Sequence, residues 1–118
     1  MINTVNIVGR LTKDLEVKTM ENGNKVVNLN LAVPRSYKNA EGIYDTDFIP
    51  VTLWNNIAVN TDKYCKKGDR VAVRGHLQVD SYSKENGEKQ KSIKVVAEKV
   101  TFLSDREHSK TSIDRDER

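Results

Sequence analysis

An eight-residue segment, 47–54, constrains the fold of this chain most, because it alternates strictly and carries aromatic residues on one side only. Successive side chains of a strand point to opposite faces. One face of this segment is aliphatic and comprises Ile49, Val51 and Leu53. The other face comprises Phe48, Pro50, Thr52 and Trp54. The aliphatic face predicts a core-facing strand, and the aromatic face either packs in a second part of the core or forms a binding surface.

Length and charge limit the possible partners. A chain of 118 residues with one cysteine, Cys65, is most simply a single domain whose core needs no disulfide. Residues 1–103 carry 16 Lys and Arg against 12 Asp and Glu, whereas residues 104–118 carry 4 against 5. An anionic partner is therefore expected to bind the first 103 residues.

The predicted location follows from composition. A single cysteine fits a reducing compartment. The N-terminus has no basic start followed by an apolar run, so we expect no signal peptide. No apolar stretch approaches the roughly 20 residues that span a bilayer. We therefore expect a cytoplasmic protein without membrane contact.

Strand periodicity recurs along the chain. The five alternating segments are 4–11, 25–33, 47–54, 70–82 and 91–103. Segment 55–67 instead has helical spacing and predicts one short helix, capped by Asn55 or Asn56 and ended by Gly68. Residues 105–118 have no periodicity and few apolar side chains, which predicts a disordered tail after a domain spanning 1–104.

Turns and irregularities are also predicted. Asn-Gly pairs at 22–23 and 86–87 favour tight hairpins. Pro34 is expected to end the second strand and to begin a long loop, 34–46. The aliphatic pattern of the last strand shifts near 98–99, which indicates a β-bulge.

Alternation also assigns side chains to the core. The inward-facing positions of the last two strands are Val71, Val73, Gly75, Leu77, Val79, Ile93, Val95 and Ala97. Gly9 in the first strand permits a close backbone approach. We expect Tyr64 and Phe102 to pack in the core as well.

Five strands with one helix between the third and the fourth is the order of an OB-fold, an all-β, five-stranded Greek-key barrel. OB-folds bind oligonucleotides on the face of strands two and three and with adjacent loops. Segment 47–54 is the third predicted strand, so its aromatic face falls on that surface. This likeness raises the expectation of nucleic-acid binding without establishing it.

Four aromatic residues are candidates for stacking on bases, namely Tyr37, Phe48, Trp54 and Tyr82. Single-strand binders place rings in a basic groove, because every base has a π-face. Phe48 and Trp54 are equally compatible with core packing. Tyr37 and Tyr82 are equally compatible with solvated loop tyrosines.

Basic residues near this surface are candidates for phosphate contacts. They are Arg10, Lys18, Arg35, Lys38, Arg74, Lys84, Lys89 and Lys91. Each is also compatible with a solvated side chain. Arg74 is the strongest candidate, because it is a charge on the outer face of a strand between Ala72 and His76.

Signatures of catalysis and of cofactors are not found. His76, His108 and Cys65 have no zinc spacing, and no phosphate-binding Gly-Lys-Ser/Thr loop is present. We expect no enzyme activity, no metal and no cofactor. An RNA-binding module, a protein-interaction OB module and an OB-fold nuclease remain alternatives at this point.

Several motifs in order resemble the bacterial single-stranded DNA-binding protein family over roughly residues 2–104. The matching segments are 8–14, 16–17, 22–23, 29–33, 47–48, 53–54, 64–68 and 73–77. The resemblance implies an OB-fold that forms homotetramers (a dimer is the alternative), binds single-stranded DNA with little sequence preference, and has no cofactor or catalysis. It also implies stacking roles for the same four aromatic residues. The DNA processes it implies are replication, recombination, repair or DNA uptake, in a bacterial cell at the nucleoid or in a phage or plasmid context.

The chain departs from the family pattern in three places. Tyr37 and Tyr82 stand where Trp is frequent, which implies a smaller stacking area. Ile49 and Pro50 replace a frequently polar pair near subunit contacts. The chain lacks the acidic tip ending in Pro-Phe, so we expect it to coat DNA without recruiting replication proteins through such a tip.

Overall fold

The computed structural model describes residues 1–103. Its elements are β1 (Val5–Leu11), β2 (Lys18–Thr19), β3 (Lys25–Lys38), β4 (Tyr44–Trp54), α1 (Asn55–Tyr64), β5 (Arg70–Ser83) and β6 (Lys89–Leu103). The five long strands and the single helix predicted from the sequence are confirmed. The helix falls between β4 and β5 because the two-residue β2 counts as a strand of its own. The predicted disordered tail, 105–118, lies outside the described residues.

The strands close into a barrel. The order is β1-β5-β6-β4-β3-β2, and an additional pairing of β1 with β3 joins the two edges of the sheet. β4 and β6 are parallel, with Val51 opposite Val95, whereas the other pairs are antiparallel. The closed five-stranded barrel with one helix confirms the OB-fold.

The barrel interior is aliphatic. Its most buried side chains include Leu31, Leu53, Val27, Val51, Val71 and Val95. Val51 and Leu53 belong to the aliphatic face of segment 47–54, whose third member, Ile49, packs against this core from a half-buried position. The predicted core face of that segment is thereby confirmed.

Two glycines let strands approach closely. A Cβ atom on Gly9 would lie 2.5 Å from the carbonyl oxygen of Ala32, where β1 crosses onto β3. A Cβ atom on Gly75 would overlap the carbonyl oxygen of Val96. Gly75 follows a register shift between β5 and β6 that leaves Glu98 as the extra residue. The bulge predicted near 98–99 is confirmed.

The prediction that Pro34 ends the second strand was wrong. β3 continues to Lys38, and Pro34 pairs with Thr46 at the last regular position before a register shift. A missing N–H is tolerated next to such an irregularity. The predicted loop 34–46 is therefore mostly a two-stranded arm with a short turn at 39–43.

The helix boundaries also differ from the prediction. α1 ends at Tyr64. The N–H groups of Lys66 and Lys67 donate to the carboxylates of Asp69 and Asp14, which draws the chain away from the helix axis. Asn55 does not cap the helix with its side chain, because its Oδ1 accepts a hydrogen bond from the N–H of Lys25.

Several residues assigned to the core are exposed. Leu77, Val79 and Ile93 lie where β5 and β6 run beyond the barrel as a second two-stranded arm, and nothing in the described chain covers that side. Tyr64 and Phe102 are 57% and 40% exposed and contact each other at a ring-centroid distance of 5.8 Å. The alternation was read correctly, but it could not show where the core stops.

Candidate nucleic-acid interface

The aromatic side of β4 is open to solvent. Phe48 is 63% exposed, so the structure excludes the core alternative for this ring. Directly opposed residues of an antiparallel pair share a face, and the residue opposite Phe48 on β3 is the small Ala32. We call the outer surface of β3 and β4 the stacking face.

Polar residues occupy the middle of the stacking face. Asn30 lies opposite Pro50, and Asn28 lies opposite Thr52. The Thr52 hydroxyl is buried and donates to Asn28 Oδ1 at 2.8 Å, which holds the amide against the sheet. These short polar side chains separate the rings of Phe48 and Trp54 without covering either of them.

Trp54 marks the corner between β4 and α1. It has extended backbone angles, whereas the next residue, Asn55, has a positive φ of 52°. The Trp54 side chain is half-buried and lies opposite the buried Val26 of β3. The sequence left core packing and base stacking open for Trp54. The ring partly meets both descriptions, because one part packs on the sheet and another part remains accessible to solvent.

Two arms extend from the same end of the barrel. The β3–β4 arm comprises residues 35–47, and the β5–β6 arm comprises residues 77–94. Because β4 and β6 pair in parallel at Val51 and Val95, the residues that precede this point on both strands run in the same direction. A groove of about 260 Å³ lies where the β5–β6 arm leaves the barrel beside β3 and β4, and its lining includes Pro50, Thr52 and Lys94.

The arms carry the other two predicted rings. Tyr37, on the β3–β4 arm, is 63% exposed, and Tyr82, on the β5–β6 arm, is 50% exposed. Lys84, Lys89 and Lys91 lie on the β5–β6 arm or its turn. The structure thus groups the four predicted aromatic residues on the stacking face and on the two arms beside it.

Not all predicted cations reach this surface. Arg74 lies on the outer side of β5, opposite Asn6 of β1 and Lys99 of β6. β5 is two strands away from β3 and from β4 around the barrel.

Two further predicted cations lie on β1 and β2. Arg10 is on β1, where its guanidinium donates to the carbonyl oxygen of Gly68 at 3.0 Å. Lys18 of β2, in contrast, lies at the edge of the stacking face, because β2 pairs with β3 and Lys18 lines a hollow that includes Asn28.

Arg35, one of the predicted phosphate contacts, is paired with acidic residues of β4. Its guanidinium donates to both carboxylate oxygens of Asp47, at 3.1 and 3.0 Å, and lies 3.8 Å from Asp45. The hydrogen bonds from Arg35 hold the pKa of Asp47 below its ordinary value and raise the pKa of Arg35. At neutral pH this ion pair is intact and competes with phosphate for Arg35.

Replacing Asp47 with asparagine is therefore expected to tighten binding of a single-stranded oligonucleotide about two- to fivefold, the effect of one exposed charge. The plot of log affinity against log salt should steepen, by up to about 0.7 for one added phosphate contact. The measurement is a titration at several salt concentrations. Asp62→Asn makes the same charge change on α1 and serves as the control. Weaker binding by Asp47→Asn would show that the ion pair instead holds the arm in place.

Sequence reasoning missed three residues near the interface. Lys13 and Lys94 line the groove, and the Lys94 ammonium also contacts Asp80 at 3.0 Å. Tyr44 is 54% exposed at the start of β4. It was overlooked because the segment before Asp47 was assigned to a loop, although its two-residue alternation continues back to Tyr44.

Within residues 1–103, no group of three or more His, Cys, Asp or Glu side chains is arranged to hold a metal ion. None of the helices in that range has the length and apolarity needed to cross a membrane.

A closed OB barrel with exposed rings on β4 and two arms beside it defines an oligonucleotide-binding type of domain. Residues 2–103 match the model of the Single-strand binding protein family, and the chain belongs to this family. It is 40% identical over 112 residues to single-stranded DNA-binding protein B of Bacillus subtilis, covering 95% of this chain and 99% of that protein.

Two further relatives of the chain are also named single-stranded DNA-binding proteins. Single-stranded DNA-binding protein 1 of Clostridium acetobutylicum is 41% identical over 103 residues, which is 86% of this chain and 94% of the relative. The single-stranded DNA-binding protein of Staphylococcus aureus strain MRSA252 is 36% identical over 114 residues, covering 97% of this chain and 73% of the relative.

Proposed function

We propose that this chain binds single-stranded DNA by stacking bases on Tyr37, Phe48, Trp54 and Tyr82, with little sequence preference and without catalysis. The observation that carries the proposal is the exposure of Phe48 on the outer face of an OB barrel. An exposed ring on a sheet offers its π-face to a base, and base stacking contributes roughly 1–3 kcal/mol per base. Family membership points to the same ligand.

Phosphate contacts supply the second part of the binding energy. Candidates for these contacts are Lys38 on the β3–β4 arm and Lys84, Lys89 and Lys91 on the β5–β6 arm. Each neutralised phosphate releases counterions, so log affinity falls by about 0.7 per contact for each decade of salt. Contacts of this kind carry no sequence information.

Titration with oligo-dT tests the proposal directly. The chain has one tryptophan, so fluorescence reports Trp54 alone. A dT oligomer of about 30 nucleotides should quench this fluorescence at low salt and less at high salt. No quenching and no binding at low salt would refute single-stranded DNA binding. Tighter binding to oligo-rU than to oligo-dT of equal length would favour an RNA-binding module.

We further propose that the chain acts as a homotetramer, with a dimer as the alternative, in a bacterial cytoplasm. The outer side of β1, β5 and β6 supports a self-association surface, because Val8 is 46% exposed there beside Ala72, in an open groove that Arg74 and Lys99 also line. Light scattering at micromolar concentration tests the assembly. A mass near that of one chain, 13.4 kDa, would refute it.

A further inference from the structure

We propose that Tyr44 is an additional base-stacking residue, which with Lys38 extends the stacking face to the tip of the β3–β4 arm. This inference rests on the proposed function. It adds a fifth ring to the four that the sequence indicated.

The register of β4 places Tyr44 on the stacking face. β4 is continuous from Tyr44 to Trp54. Residues an even number apart on a strand share a face, so Tyr44 lies on the same side as Phe48. The two are four positions apart, which corresponds to roughly 13 Å along the strand. Rings on β4 therefore continue from the helix corner at Trp54 to the far end of the arm.

The Tyr44 ring is accessible and next to a cation. It is 54% exposed, and the Lys38 ammonium lies 5.6 Å from its centroid. Lys38 is the direct cross-strand partner of Tyr44, so this proximity follows from the backbone register. An aromatic surface for a base beside an ammonium for a phosphate is the combination that single-strand binders use.

The turn that precedes Tyr44, residues 39–43, is held by hydrogen bonds. Asn39 Oδ1 accepts from the N–H groups of Glu41 and Ile43, and Asn39 Nδ2 donates to Asp45 at 3.2 Å. The N–H of Asn39 donates to the carbonyl oxygen of Ile43. A fixed turn lowers the entropy lost when a base is bound at its edge.

A second tyrosine provides a matched comparison. Tyr64 is 57% exposed, and the Lys63 ammonium lies 5.3 Å from its ring centroid. Exposure and a neighbouring cation are thus nearly the same as for Tyr44. Tyr64, however, ends α1 and contacts Phe102, and it has no place on β4. The two residues therefore differ in position: Tyr44 lies on the stacking face, and Tyr64 does not.

The inference can be tested by moving the single tryptophan of the chain from position 54 to the two tyrosine positions. In a Trp54→Phe background, Tyr44→Trp and Tyr64→Trp each place the only tryptophan of the chain at one of the two sites. Titration with dT of about 30 nucleotides should quench the tryptophan introduced at position 44 and leave the one at position 64 within a few per cent of its starting intensity. Equal quenching at both positions, or quenching at neither, would overturn the inference.

Affinity gives a second readout in the otherwise unchanged chain. Tyr44→Ala should weaken binding of the same oligomer about fivefold to thirtyfold, and Tyr64→Ala should change it less than twofold. Tyr44→Phe keeps the ring and should restore most of the affinity. Unchanged affinity in Tyr44→Ala, while Trp54 in the parent chain is quenched, would refute the role of Tyr44 alone. Absence of any binding by the parent chain would instead refute the proposed function and this inference together.

Discussion

Replacing Trp54 with alanine is expected to weaken binding of oligo-dT about 5- to 150-fold. This range corresponds to the roughly 1–3 kcal/mol that one stacked base contributes. Trp54 has the largest ring on the stacking face, and it lies where β4 turns into α1, which limits the freedom of the side chain. The loss should fall mainly on dissociation, since the phosphate contacts that guide association remain.

Because this variant has no tryptophan, anisotropy of a fluorescein-labelled dT oligomer is the appropriate measurement. Trp54→Phe keeps an aromatic ring and should lose much less affinity. Trp54 is half-buried, so circular dichroism and a thermal melt must accompany the titration. If Trp54→Ala fails to fold, Phe48→Ala supplies the same test at a ring that is 63% exposed. Wild-type affinity in a folded Phe48→Ala variant would contradict stacking on this face.

Replacing Gly75 with alanine is expected to destabilise the barrel by about 3 kcal/mol or more, the upper part of the range for overpacked sites. The added methyl group would overlap the carbonyl oxygen of Val96, with Val96 carbonyl carbon at 2.9 Å and Ala97 Cα at 3.1 Å. All three atoms belong to the backbone of β6, so relief requires the β5–β6 ladder to separate next to the bulge. Small domains have a total stability of roughly 5–15 kcal/mol, so this loss is a large fraction.

Urea unfolding followed by circular dichroism measures the effect. Ser81→Ala changes an exposed residue of the same strand and should stay within about 0.5 kcal/mol of the parent chain. If Gly75→Ala unfolds at the same urea concentration as Ser81→Ala, then β6 shifts freely at the bulge. The close approach would then not constrain the barrel.

Local features of the fold could be predicted because their causes are neighbours in sequence. Two-residue alternation defines the long strands, and the Asn-Gly pairs define turns, where Gly23 and Gly87 have φ of 90° and 87°. The shift of the aliphatic pattern near Glu98 marks the bulge, because an extra residue inverts the faces that follow it. The order of these elements was sufficient to predict the barrel, and the motifs were sufficient to predict the family.

The stacking face could be predicted only in part. Alternation placed Phe48 and Trp54 on one side of a strand but could not show whether that side is covered. The same pattern placed Leu77, Val79 and Ile93 inward, and these are exposed because β5 and β6 extend beyond the barrel. Coverage of a face depends on which other strands pass over it, and only the folded chain shows this.

Segment 47–54 shows which features its own residues determine and which depend on the folded chain. Its own residues determined a strand with one aliphatic and one aromatic face. The tertiary structure decided that the aromatic face is open and that β4 begins at Tyr44. It also decided that Asp47 holds Arg35 across the hairpin, 12 residues away in sequence. Periodicity describes the faces of a single strand, whereas exposure and ion pairing depend on the strands that fold against it.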